Sequence, residues 1–256
     1  MVHISYSKLA ELQQNYDERL GRIARGEEPY PMDVPTGRFF KRRNRNGAFF
    51  RNGDFLKEHL GRAVIRELDD AYEYARLQCD IVQLDRRTYW LDGSAWTGAE
   101  ADRRACVAAA VAESPTGDDI ALTQVLRPHP MAQSPPTERD KLPFTTECGS
   151  LWLAAEDALR RAKADPQADW DLFVAFCDSQ TVITAFCAFK KAESKGLQWE
   201  KFFERTLECL RELKELGLTF HIHWVPAHVG IRGNEAADRL AVETANRNSS
   251  VVNTSH

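Results

Sequence analysis

The sequence predicts an α/β fold: a mixed sheet covered by helices on both faces, preceded by an N-terminal helical extension. Three observations lead there. Short runs rich in β-branched and aromatic residues cluster between residues 81 and 126. From residue 146 onward, segments of helical period alternate with apolar strand-like runs, the pattern of a sheet packed between helices. Before residue 80 the chain carries only two helical stripes joined by a loop. The expected organisation is an extension over 1–80, a catalytic-sized domain over 81–246 and a flexible tail over 247–256.

Taken in order, residues 4–26 place Leu9, Leu12, Tyr16, Leu20 and Ile23 on one helical stripe, and the Pro-rich stretch from Glu28 to Pro35 ends it. Arg38-Phe39-Phe40-Lys41-Arg42-Arg43-Asn44-Arg45 and Phe49-Phe50-Arg51 interleave cations with rings. That composition suits either a surface loop or a grip on nucleic-acid backbone and bases. A second helix is expected over about Asp54 to Leu77, with Leu56, Leu60, Val64, Leu68 and Tyr72 on its apolar face. Ile81–Leu84, Thr88–Leu91, Ala105–Val111 and Ile120–Leu126 read as strands, the last two separated by the turn Ser114-Pro115-Thr116-Gly117. Pro128 to Pro136 reads as a loop. Helices are expected over Thr146–Ala164, Gln180–Lys191, Trp199–Leu216 and Asn234–Asn246, with strands over Leu172–Cys177 and Phe220–Val225. The polar residues from Asn248 onward read as a mobile end. There is no internal repeat.

Composition narrows the function. With 256 residues, 43% hydrophobic and 28% charged, the chain has room for one sizeable core and an appendage. A net charge of −4 excludes a protein that coats DNA by bulk charge, but leaves room for a local basic stripe beside acidic metal ligands. The six cysteines, Cys79, Cys106, Cys148, Cys177, Cys187 and Cys209, contain no CxxC pair; zinc chelation is not indicated, and they read as buried thiols in a reducing compartment. No 18-residue apolar run marks a membrane span, and Met1–Ser5 lacks a signal-peptide core. The expectation is an intracellular protein, with cytosol, nucleus and organelle not distinguished and no membrane partner.

Four acids stand where a sheet edge can gather them. Asp92 follows the strand Thr88–Leu91, Asp178 ends Leu172–Cys177, Glu147 lies in the first turn of a long helix, and Asp238 lies four residues after Asn234, the expected N-cap of the last helix. Gathered carboxylates repel one another unless a cation neutralises them, and hard oxygen donors suit Mg²⁺ or Mn²⁺. His221 and His223, two residues apart on one strand face, read as structural.

The run Trp224-Val225-Pro226-Ala227-His228-Val229-Gly230-Ile231-Arg232-Gly233-Asn234-Glu235-Ala236-Ala237-Asp238-Arg239-Leu240-Ala241 closely resembles the last motif of the ribonuclease H family, with the family's ten-residue spacing from His228 to Asp238. The style is that of fungal and reverse-transcribing-element members. Asp92-Gly93-Ser94-Ala95-Trp96 resembles the first motif and Phe176-Cys177-Asp178-Ser179-Gln180 the third, all in the family's order. The resemblance covers about Arg87 to Thr244. It implies a five-stranded mixed sheet and a metal-dependent endonuclease that cuts the RNA strand of RNA–DNA hybrids. It further implies Asp92, Glu147, Asp178 and Asp238 as ligands of two Mg²⁺ ions, replaceable by Mn²⁺. His228, on its loop, would assist proton movement or product release.

The match departs from the family in four places. Cys148-Gly149-Ser150 follows Glu147 where the family has an apolar run, which leaves Glu156 and Asp157 as alternative ligands. Pro143 and Phe144 stand near positions where hybrid-cutting members carry polar readers of the minor groove and the 2′-OH. Residues 190–216 mix Lys195 and Lys201 with Glu193, Glu200 and Glu204, as a solvated face and not a basic protrusion, and residues 1–80 show no separate hybrid-binding domain. The alternatives are a catalytically silent nucleic-acid-binding module of the same fold, or a related nuclease of different substrate preference.

Overall fold

A computed structural model describes residues 4–28, 41–43, 49–51, 60–80, 85–95, 105–113, 119–126, 142–166 and 170–249. Eight strands are described: β1 (Lys41–Arg43), β2 (Phe49–Arg51), β3 (Gly61–Val64), β4 (Arg86–Ser94), β5 (Cys106–Ala112), β6 (Ile120–Leu126), β7 (Leu172–Cys177) and β8 (Thr219–Trp224). The helices are α1 (Tyr6–Ala24), α2 (Leu68–Asp80), α3 (Leu142–Ala164), α4 (Gln180–Ala188), α5 (Gln198–Glu215) and α6 (Arg232–Ser249), with a short 3₁₀ turn at Lys191–Glu193. β1 and β2 form their own antiparallel ladder. The other six make one mixed sheet in the order β3-β8-β7-β4-β5-β6.

β4 is central. It runs antiparallel to β5 and parallel to β7, with Asp92 opposite Ala109 and Leu91 opposite Cys177. β5 reads Cys-Val-Ala-Ala-Ala-Val-Ala and is buried throughout, as a strand covered on both faces must be. Its small side chains let helices lie close on either side. On one face α3, α4 and α5 pack through Leu151, Ala155, Ile183, Phe186, Phe202 and Phe203. On the other, α1, α2 and α6 pack through Leu12, Tyr16, Tyr72, Leu77 and Ala237 against Trp90, Val174 and Phe176. Trp90 lies flat on Phe176, with centroids 4.3 Å apart and planes 15° from parallel, and Trp152 stacks on Phe202 at 5.5 Å.

Local chemistry explains the helix ends. Ser5 Oγ accepts from the Lys8 N–H and Ser179 Oγ from the Val182 N–H, satisfying first-turn donors of α1 and α4. Glu200, expected on a solvated face, is instead buried: its Oε2 accepts the Lys195 and Leu197 N–H groups at 2.8 Å and closes the entry to α5. Pro143 sits in the first turn of α3, where its missing N–H costs nothing.

Several expectations are corrected. The helix expected over Asp54–Leu77 is, within the described residues, strand β3 followed by α2. Leu60, Val64 and Leu68 fall at helical spacing, yet Gly61 lies so close to β8 that a Cβ there would meet the Phe220 carbonyl oxygen at 2.0 Å. β3 joins β8 in parallel, so the sheet has six strands where five were expected. β4 runs on to Ser94, placing Asp92 inside the strand and not after it. α6 spans Arg232–Ser249, so Asn234 is a first-turn residue and not the N-cap, and Asn248 and Ser249 are helical. α4 ends at Ala188, three residues early. Part of the basic-aromatic loop is the β1–β2 ladder. The strand Ile81–Leu84, the 114–117 turn, the 128–136 loop, Trp96 and residues from 250 onward lie outside the described residues. Among the described residues, no helix is long and apolar enough to cross a membrane. None of the six cysteines is in a disulfide; Cys187 and Cys209 are only partly buried.

Candidate active site

The two central strands and two helices bring four carboxyls together. Asp92 projects from β4 with the parity of Trp90, toward the α6 face, and Asp178 follows β7 with the parity of Phe176, toward the same face. Glu147, expected in the first turn of a helix from Thr146, comes from the second turn because α3 starts at Leu142, and Asp238 comes from the second turn of α6. Gly93 permits the approach of α3: a Cβ there would lie 2.4 Å from Thr146 Oγ1 and 2.7 Å from the Glu147 nitrogen. Gly233 does the same for α6, since its Cβ would enter the Trp90 indole at 2.1 Å. Trp90 cannot yield, being stacked on Phe176 and donating Nε1–H to Glu113 at 2.8 Å. The Trp224 indole donates to the Asp178 carbonyl at 3.0 Å and fixes the end of β7.

The electrostatics are those of crowded, buried carboxyls. Asp92 is 9% exposed, and its Oδ1 accepts the Gly93 N–H at 2.7 Å. Burial, then the charge of Asp178, and with less weight Asp238, pushes the Asp92 carboxyl up to about 8. Burial, followed by Asp92 and Asp178, raises Glu147 well above the carboxylate range. Asp178 is raised by burial, and less so by Asp238, against the opposing pull of His228 and a hydrogen bond from Asn234. Cys177, buried between Glu147 and Asp178, is raised by burial and then by their charge, and holds its thiol toward the Ser179 carbonyl.

Two donor groups result. Glu147, Cys177 and Asp178 offer ligand atoms within 4.8 Å of one another, as do His228, Glu235 and Asp238. Among the described residues, Glu147 Oε2 is buried with no hydrogen-bond partner. An orphaned carboxylate oxygen among like charges is what a divalent cation would relieve, and the oxygen donors fit a hard one. These acidic groups can hold a metal.

His228 is exposed on the loop between β8 and α6, with φ +54°, a left-handed backbone uncommon for a residue with a Cβ. Gly230 follows at φ +78°, and its N–H donates to Glu235 Oε1 at 3.2 Å. The alternatives to Glu147 are engaged elsewhere. Asp157 is buried, accepting from Tyr89 Oη at 3.0 Å and Arg161 Nε at 2.5 Å and pairing with Arg160, while Glu156 is exposed. His221 and His223 are buried in β8, away from the acids. His223 Nδ1 meets Arg66 Nη1 at 2.7 Å, and burial, then the Arg66 charge, holds the ring well below the usual imidazole range.

Sequence reading missed three contributors. Asn234 hydrogen-bonds Asp178 from within α6, and its spacing of four from Asp238, one helical face, was a usable signal. Glu235 ties the His228 loop to α6, and Cys177 lies under Glu147 and Asp178. Both lie inside the quoted motif runs, but what they touch depends on how loop and helix fold back.

No curated protein matches the chain. Solved structures do. The chain is similar to RNase H1 from the halophilic archaeon Halobacterium salinarum NRC-1, at 20% identity over 62% of this chain and 99% of that one, TM-score 0.40. It is similar to the N-terminal RNase H domain of a Mycobacterium tuberculosis protein, solved as a fusion with maltose-binding protein, at 16% identity over 62% and 97%, TM-score 0.40. It is also similar to LC9-RNase H1, described as a type 1 RNase H with the type 2 active-site motif, at 14% identity over 65% and 74%, TM-score 0.42. The RNase H family model matches residues 152–246, a stretch that includes Asp178, His228 and Asp238 and stops short of Asp92 and Glu147. The resemblance that the motifs carry is thus joined by a direct match to the RNase H family over residues 152–246, a little over a third of the chain.

Proposed function

We propose that the protein is a divalent-metal-dependent endonuclease that hydrolyses the RNA strand of RNA–DNA hybrids, leaving 5′-phosphate and 3′-hydroxyl ends. The observation that carries this reading is the convergence of Asp92, Glu147, Asp178 and Asp238 around a buried, unpartnered Glu147 oxygen. In it the four carboxylates hold two Mg²⁺ ions, with Mn²⁺ as substitute. Such a pair, when bound, activates water and offsets charge on the leaving oxygen of a phosphodiester.

The protein's own groups do the rest. Asn234 stands beside Asp178 and favours its ionised form. Gly93 and Gly233 let α3 and α6 deliver Glu147 and Asp238 to a strand that is otherwise fully packed. His228, exposed beside Glu235 and Asp238, takes or returns a proton on the product side.

One observation favours a second reading, a related nuclease with broader substrate choice. Phe144 stands near positions where polar groove readers are expected, and its ring packs edge-on against Trp199 at 5.4 Å and Phe203 at 6.2 Å. Nothing at that position then reads a 2′-OH. The test is a panel of labelled hybrid, RNA duplex, DNA duplex and single strands with Mg²⁺, Mn²⁺ or EDTA. Metal-dependent loss of the hybrid's RNA alone supports the first reading and cutting of other substrates the second. No cutting by folded protein rejects both and leaves a silent binding module.

A further inference from the structure

The loop that carries His228 is gripped at both ends by residues 60–80, a segment outside the stretch matched by the family model. Val225, Val229 and Ile231 are buried, and they enter an apolar wall that Tyr72, Tyr74, Ala75, Leu77 and Cys79 of α2 share with Phe176. Just past the loop, Arg232 Nη2 donates to the Cys79 carbonyl at 2.6 Å. That carbonyl is in the last turn of α2, where helix geometry leaves acceptors free and favours a cation. Just before the loop, β3 pairs with β8 so that Val64 lies opposite His223. The His223 ring stacks on Tyr74 at 4.8 Å, and Arg66 both covers Tyr74 at 3.9 Å and meets His223 Nδ1. A guanidinium only donates, so Nδ1 accepts and His223 is neutral, a fixed member of the stack.

We propose that residues 60–80 are a positioning element for the His228 loop: the Tyr74–His223 stack on one side and the Arg232–Cys79 contact on the other set where His228 stands beside Glu235 and Asp238. Tyr74 and Arg232 are positioning residues that act through the loop. The inference rests on the proposed function only for the role of His228.

The test is hydrogen exchange by mass spectrometry on the full chain, wild type against Arg232→Met, Tyr74→Ala and Tyr74→Phe. Arg232→Met removes the donor and keeps the aliphatic stem, so it decides the matter if Tyr74→Ala fails to fold. Amides of residues 227–231 should exchange about tenfold faster in Arg232→Met and Tyr74→Ala, with β4 and β7 still protected and Tyr74→Phe like wild type. On a hybrid, kcat should fall about threefold or more with KM held, and that loss should vanish in a His228→Ala background. Unchanged loop exchange in Arg232→Met overturns the proposal, as does protection lost equally from β4 and β7, or a kcat loss that persists in full without His228. If wild type cuts nothing, the proposed function falls while the exchange comparison still decides this inference.

Discussion

Replacing Asp92 by Asn removes one charge from the most crowded point of the carboxyl cluster, and the size of the response can be worked from its surroundings. Burial and the charge of Asp178 raise this group from an ordinary 3.8 to about 8. A carboxyl raised on folding contributes its full stability below the unfolded value and loses it as pH climbs through the folded one. Each pH unit in that window costs about 1.36 kcal/mol, so at pH 7 the metal-free fold carries a penalty on the order of 4 kcal/mol. The Asn variant escapes that penalty and keeps an Oδ1 to accept the Gly93 N–H. Neighbouring acids adjust their own protonation, so about half the penalty, ~2 kcal/mol, is expected as net gain. For a chain of this size that is a Tm increase of roughly 4–8 °C at pH 7. The assay is thermal unfolding by circular dichroism in EDTA across about pH 4 to 8. The gain should shrink to a small remainder near pH 4, where the folded wild-type carboxyl is protonated and the unfolded one is already partly so. Millimolar Mg²⁺ should raise the wild-type Tm at pH 7 and do less for the variant. A variant no more stable than wild type at pH 7, or a gain that does not change with pH, would refute the charge-crowding argument.

Three further outcomes follow from the same geometry. Gly233→Ala should cost about 2–3 kcal/mol in denaturant unfolding, because its Cβ would enter the Trp90 ring at 2.1 Å; an unchanged midpoint would mean α6 is free to slide. Glu147→Gln should lower hybrid cleavage by roughly 10³-fold or more while Glu156→Gln stays within about twofold, and the reverse pattern would reassign the ligand. His228→Ala should slow turnover by about 10- to 100-fold without abolishing it, and a wild-type rate would return His228 to a loop residue without chemical duty.

The central strands of the sheet were legible because both their faces are covered. Leu172–Cys177 and β5 are continuous apolar runs bounded by turn residues, and their ends fell within a residue or two. The extra edge strand was not legible, since Leu60, Val64 and Leu68 happen to sit at helical spacing while the evidence for a strand lies in another segment, the Phe220 backbone against Gly61. Glu200 misled for a similar reason: a glutamate among lysines reads as surface until the loop before α5 folds back onto it. Asp92, Asp178, His228 and Asp238 were read from motifs and Glu147 from its place near the start of a helix; in the structure Asp178 and Asp238 act on Asp92, Asp92 and Asp178 act on Glu147, and His228 stands beside Asp178 and Asp238. What the motifs did not carry is the support beneath them: Asn234 on Asp178, Glu235 on the loop, and the wall of α2 behind it.

The central claim is that these carboxyls form a metal-dependent phosphodiesterase centre for hybrid RNA, and cleavage of one labelled hybrid by wild type and Asp178→Asn, with Mg²⁺ or with EDTA, tests it most directly. The account expects RNA-strand cutting by wild type with Mg²⁺, none with EDTA, and none by a folded Asp178→Asn, since an amide cannot supply the charge that holds the ion. Cutting that persists in EDTA, or at wild-type rate in the Asn variant, would contradict it.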